Sequence, residues 1–187
     1  MMQAKKLISC LECNPVIAAV TDEKWEQALE SPAEVIFYQS ANLLTVTDRV
    51  RQAHDAGKYI IIHMDLAEGI GKDRSGLRYL AEQGADGIIS TKTQLIRQAK
   101  DLGLLTVQRF FALDSKGLES IEEMLRSSQP DLIEIVPGVI PKVLTRFAGG
   151  STPVIAGGLF ETKAELTTAL GCGIIAVSTG QTSLWYM

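Results

Sequence analysis

The stretch Tyr59–Thr91, YIIIHMDLAEGIGKDRSGLRYLAEQGADGIIST, decides the fold. It opens on Ile60, Ile61 and Ile62, β-branched residues that suit a pleated, buried strand better than a helix. A glycine-bearing loop follows, then Ser75–Gln83, which reads as a helix stopped by Gly84. Gly87–Ser90 is a second strand-length run. Strand, helix, glycine, strand is the signature of a βαβ unit in a parallel sheet.

The same order recurs outward in both directions. Strand-length apolar runs lie at Val16–Val20, Val35–Tyr38, Tyr59–Met64, Gly87–Ser90, Leu104–Phe111, Leu132–Val136, Pro153–Ala156 and Ile174–Val177. They begin about 17 to 28 residues apart, room for one strand, one helix and two short loops. Between them, Asp22 can cap a helix that buries Trp25, Ala28 and Leu29. Leu43–Ala56 stops at Gly57, Thr91–Leu102 at Gly103 and Glu161–Leu170 at Gly171. Ser115–Ser127 has Leu118, Ile121, Glu122 and Leu125 at helical spacing. The pattern predicts one domain over residues 1–187, a compact TIM-type (β/α)8 barrel. A seven-stranded or partly open barrel is the alternative. Such barrels typically take about 250 residues. The loops here must therefore be short, which leaves few ways to exclude water from a reaction.

Composition sets further bounds. The chain has 187 residues, 46% hydrophobic and 21% charged, and carries a net charge of −4. That is globular composition, without the excess of positive charge that drives non-specific nucleic-acid binding. No run approaches the roughly 18 apolar residues that a membrane span needs, and Glu12, Asn14 and Pro15 interrupt the start. A cytoplasmic location is expected. Cys10 and Cys13 form a CxxC, and only Cys172, His54 and His63 could complete a metal set. Ordinary thiols are expected, with no metal and no redox cofactor.

In this fold, function collects at the C-terminal ends of the strands. The seventh and eighth strands end in Gly157-Gly158-Leu159 and Ser178-Thr179-Gly180. Glycine lets a backbone approach an anion closely, and free N–H groups and hydroxyls then bond its oxygens. Gly157, Gly158, Ser178, Thr179 and Gly180 are therefore the candidate phosphate seat; a plain tight turn is the alternative. On this reading, a bulky residue at Gly157 weakens ligand binding and leaves the fold intact. His63 and Asp65 alternate onto one side of the third strand, suited to hold a hydroxyl or move a proton, or else to cap a loop and fill the barrel. Lys92 follows the fourth strand, as a phosphate partner, a Schiff-base nucleophile or a solvated lysine. Arg109 and Glu134 lie in apolar contexts on adjacent strands, where burial is costly unless they pair. They are candidates for an ion pair, a ligand contact, or both. Glu68–Asp73 is glycine-bearing but matches no phosphate-loop or dinucleotide fingerprint.

In this order, His63-Met64-Asp65-Leu66, Gly87-Ile88-Ile89-Ser90-Thr91, Gln108–Ser115, Ile133–Gly138, Ala156–Leu159 and Ser183-Leu184-Trp185 resemble the glycerol uptake operon antiterminator family. The likeness runs from about Val16 to Trp185. It implies a barrel-like fold, glycerol 3-phosphate as ligand and a leader mRNA as partner, whose binding prevents transcription termination. It supplies no catalytic set and no redox or metal cofactor. One departure stands out: Gly180 occupies a position where the family tends to carry a hydroxyl or amide. For the RNA, Lys72, Arg74 and Arg78 near one helix and Lys92, Arg97 and Lys100 on the next offer a local basic face, which could equally be ordinary solvated helix surface. Two functions are thus in contention. One is a ligand-gated regulator of glycerol genes; the other is a lyase or isomerase acting on a small phosphorylated metabolite through Lys92, His63 and Asp65.

Overall fold

A computed structural model describes residues 2–187. Eight parallel strands close into a barrel in sequence order. They are β1 (Val16–Val20), β2 (Val35–Tyr38), β3 (Tyr59–His63), β4 (Gly87–Ser90), β5 (Leu105–Phe111), β6 (Leu132–Val136), β7 (Val154–Gly157) and β8 (Ala176–Thr179). Closure is complete: β1 pairs with β8 in parallel, Ile17 opposite Ser178. The seven-stranded and open alternatives therefore fall away.

The outer helices are α2 (Trp25–Glu30), α3 (Val46–Asp55), α4 (Arg74–Glu82), α5 (Thr93–Asp101), α6 (Ser115–Ser128), α7 (Pro141–Ala148) and α8 (Lys163–Leu170). A 3-10 turn, Thr182–Tyr186, stands where a helix after β8 would be. Two helices lie outside the periodic segments read from the sequence. One is α7, a short helix that opens on Pro141 at a position where proline is tolerated. The other is α1 (Met2–Cys13). Its Leu7 and Leu11 join the inward residues Ile17, Phe37, Ile61, Val107, Leu132 and Ile155 in one apolar cluster. Helix α1 therefore plugs the bottom of the barrel.

The strand periodicity of two sorts the rest. Outward residues such as Ile36, Ile60, Ile88, Ile133 and Val177 pack beneath the helices. Inward residues near the bottom are apolar. One step higher the inward layer turns polar and small: Ala19, His63, Arg109, Glu134, Gly157 and Ser178. Among the described residues no helix is long and apolar enough to cross a membrane.

Candidate functional site

The polar inner layer is a single connected network. Arg109 and Glu134 face each other in register across β5 and β6. The Arg109 Nε–H donates to Glu134 Oε2, forming the expected ion pair. Glu134 is wholly buried. Ser178 Oγ donates to its other oxygen. Arg109 Nη1 lies 2.7 Å from His63 Nε2. Because a guanidinium can only donate, His63 accepts there and its proton sits on Nδ1. Burial first, and then the neighbouring Arg109 charge, push the His63 pKa down to about 4, so the ring is neutral near pH 7. Taking this network apart is costly, since a lone buried charge would remain.

Gly157 belongs to this network by omission. A Cβ there would stand 2.4 Å from Glu134 Oε1 and 2.8 Å from Ser178 Oγ. The glycine makes room for the carboxylate. Gly157 and Ser178 thus surround Glu134, and the upper rim of the seat falls to other residues.

That rim lines a cleft of about 440 Å³. Its walls include Arg109, Glu134, Gly158, Leu159, Thr179 and Gly180. Gly158 (φ 80) and Leu159 (φ 64) are both left-handed, a conformation that costs on the order of 1 kcal/mol in a leucine. The N–H groups of Gly158, Leu159 and Gly180 have no acceptor among the described residues. Thr179 Oγ1 accepts from the Gln181 N–H at 3.0 Å, which leaves its hydroxyl proton to donate. Lys24 completes this end of the cleft: its Nζ donates to the Gly180 carbonyl at 2.6 Å. The sequence reading missed Lys24, Gln39 and Gln181, all of which line the cleft. Lys24 lies just beyond β1, within a stretch read as helix; its place after a strand was the available signal.

Other candidates are placed elsewhere. Asp65 does not share a strand face with His63, because β3 ends at His63 and a 3-10 turn, Met64–Leu66, begins. The turn aims the Asp65 carboxylate at the end of β4, where it accepts from Ser90 Oγ (2.7 Å), the Thr91 N–H (2.7 Å) and Thr91 Oγ1 (2.9 Å). Burial raises the Asp65 pKa, but those three hydrogen bonds outweigh it and hold the group below its ordinary value. Asp65 is a strap between β3 and β4. Lys92 is exposed at the start of α5, and no partner binds its side chain among the described residues.

The six cations near α4 and α5 do not form one free face. Lys72 Nζ folds back onto the Asp65 carbonyl at 2.6 Å. Arg74 lies 3.8 Å from Asp101, and Arg78 pairs with Glu82 at 2.9 Å. Arg97 and Lys100 tie α5 to Ser127 and Gln129 at the end of α6. Cys10, Cys13 and Cys172 are free thiols. Burial and the Glu34 carboxylate beside it push Cys10 up to about 12, far from a reactive thiolate.

Comparison with known proteins adds a specific result. The model of the glycerol-3-phosphate responsive antiterminator family matches residues 16–185. A protein of Escherichia coli (strain K12) called YgcP is 38% identical over 186 residues, 96% of this chain and 95% of its own. Among solved structures, the glycerol uptake operon antiterminator regulatory protein of Listeria monocytogenes is 32% identical, with a TM-score of 0.87 over 92% of this chain and 95% of that one. A glycerol uptake operon antiterminator-related protein of Thermotoga maritima is also 32% identical, with a TM-score of 0.81 over 92% and 98%.

Proposed function

The chain belongs to the glycerol-3-phosphate responsive antiterminator family, and from that premise we propose that it senses glycerol 3-phosphate in the cleft at the β7 and β8 ends and acts on a leader mRNA of glycerol genes. One observation carries the ligand half of this reading. Gly158, Leu159 and Gly180, whose N–H groups have no acceptor among the described residues, line the same cleft as Lys24, whose ammonium lies against the Gly180 carbonyl. That is a phosphate seat in chemical terms: donors already fixed by the backbone, and one positive charge.

At the other end, Arg109 keeps donors beyond those given to Glu134 and His63, and Glu134 and neutral His63 fix its orientation. This end suits the two hydroxyls of the glycerol moiety, which can both donate and accept. A hydrogen bond to a charged group contributes about 1.5–3 kcal/mol net. Three or four such bonds support micromolar affinity after the cost of association. The family name supports the antitermination half, in which ligand binding favours one arrangement of the rim loops and raises RNA affinity.

Calorimetric titration tests the reading. Glycerol 3-phosphate is expected to bind with micromolar Kd, and glycerol at least about 100-fold more weakly, since it lacks the group that the seat recognises. No heat at millimolar glycerol 3-phosphate would remove the ligand. Leader RNA affinity should rise when the ligand is added; equal affinity with and without it contradicts a sensor. Consumption of glycerol 3-phosphate in the same samples would favour an enzyme instead.

A further inference from the structure

The loops that follow β4, β5 and β6 carry three exposed lysines and three large apolar side chains left partly or largely open to solvent. Lys92 stands at the start of α5, Lys116 in the first turn of α6 and Lys142 in the first turn of α7. All three are exposed, and none has an ion-pair or hydrogen-bond partner for its side chain among the described residues. No acidic residue lies in the first turn of these three helices. That is opposite to what the helix dipole favours, so the lysines are there at a small cost to stability. Between them, Phe111 is 51% exposed, Leu113 81% and Ile140 37%. Acids nearby are few. The Asp114 carboxylate is engaged as the cap of α6, accepting from the Gly117 N–H at 2.7 Å, and Glu119 is exposed one turn further along α6.

We infer that this patch, on the mouth side of the barrel, is where the RNA docks, and that it binds an unpaired stretch: the lysines meet phosphates and Phe111 stacks on a base. The inference rests on the antiterminator reading and places its RNA surface. Unpaired lysines supply the sequence-independent attraction to a phosphate backbone, and an exposed aromatic ring supplies a stacking platform that a duplex would deny. The cations of α4 and α5 offer less, because internal carboxylates, carbonyls and hydroxyls already engage them. The placement also brings ligand and RNA together. Phe111 lies two residues beyond Arg109 on β5, on the same face of the strand.

The test begins with a randomised single-stranded RNA pool of about 30 nucleotides, longer than usual site sizes, enriched on the wild-type protein with glycerol 3-phosphate present. The enriched RNA is then titrated against variants by fluorescence anisotropy. Lys116→Gln with Lys142→Gln should lower affinity about 20-fold at 0.1 M salt and flatten the salt dependence by roughly 1.4, the share of two phosphates on a single strand. Its glycerol 3-phosphate affinity and melting temperature should match wild type. Phe111→Ala should lose at least about fivefold in RNA affinity, the lower end of one base stack. Arg74→Gln with Arg78→Gln on α4 should bind as wild type. Wild-type RNA affinity in the lysine variant, or a loss confined to the α4 variant, overturns the patch while the RNA reading stands. Failure of the wild-type protein to enrich any RNA overturns both.

Discussion

Gly157→Ala adds one methyl group to the inner wall of the barrel. The backbone there does not require glycine, since Gly157 is not among the residues of positive φ. The effect is therefore steric and local. The new Cβ would lie 2.4 Å from Glu134 Oε1, 2.8 Å from Glu134 Cδ and 2.8 Å from Ser178 Oγ. Ordinary contact needs about 1 Å more than the closest of these. Glu134 cannot swing away freely, because it is fully buried and held by Arg109 and Ser178. Overpacking of this kind costs about 1–3 kcal/mol, and outright loss of a buried ion pair about 3–5 kcal/mol. A partly displaced Glu134 should fall between, about 2–4 kcal/mol. For a chain of this size that lowers Tm by about 5–15 °C. Gly149→Ala is the control, because nothing lies within 4 Å of its Cβ; it should change stability little. Urea melts followed by tryptophan fluorescence give both values, since Trp25 and Trp185 are buried. A Gly157→Ala protein within about 0.5 kcal/mol of wild type would refute the role of this glycine as a spacer for Glu134. That outcome would restore the expectation from sequence, in which Gly157 can be enlarged at the expense of ligand binding alone.

Three further outcomes are expected. Lys24→Met should weaken glycerol 3-phosphate binding about 10- to 100-fold in calorimetry, one charge-assisted hydrogen bond, with little change in Tm; an unchanged Kd would take Lys24 out of the seat. His63 makes stability depend on pH. Its folded pKa of about 4 lies below its ordinary 6.5, so the unfolded chain binds the proton more readily. Stability from this group is complete above pH 6.5 and declines as pH falls towards 4, by up to about 3 kcal/mol. Urea melts between those limits should show this slope in wild type and lose it in His63→Gln; equal slopes would show that His63 is not held neutral. For Asp65→Asn, an amide must replace an acceptor of three donors, so about 1–2 kcal/mol of stability should be lost, and hydrogen exchange at Thr91 should quicken; unchanged exchange would mean that Asp65 does not strap β3 to β4.

The architecture was legible because it rests on short-range signals. Isoleucine- and valine-rich runs at regular intervals, with glycines ending the helices between them, specify β/α units whatever surrounds them. The Arg109–Glu134 pair was legible for a related reason. Two charges in apolar strands on consecutive units have no inexpensive solution except each other. Helix α7 was harder to read, because it is short and its stretch is broken by Pro137 and Pro141. Helix α1 gave no sign of its position, since a plug at the barrel floor follows a barrel only in three dimensions.

The sequence by itself determined the repeating unit and carried the likeness to the family. The first depends on periodicity along the chain, and the second on an ordered set of short motifs between Val16 and Trp185. Only the tertiary structure decided the division of labour within the site. It set Gly157 and Ser178 to serve Glu134, turned Asp65 onto β4, and brought Lys24 to Gly180, 156 residues away. Those assignments depend on distances of one or two ångströms between residues far apart in sequence. Barrel closure fixes such distances, and a pattern of residue types along one strand does not contain them.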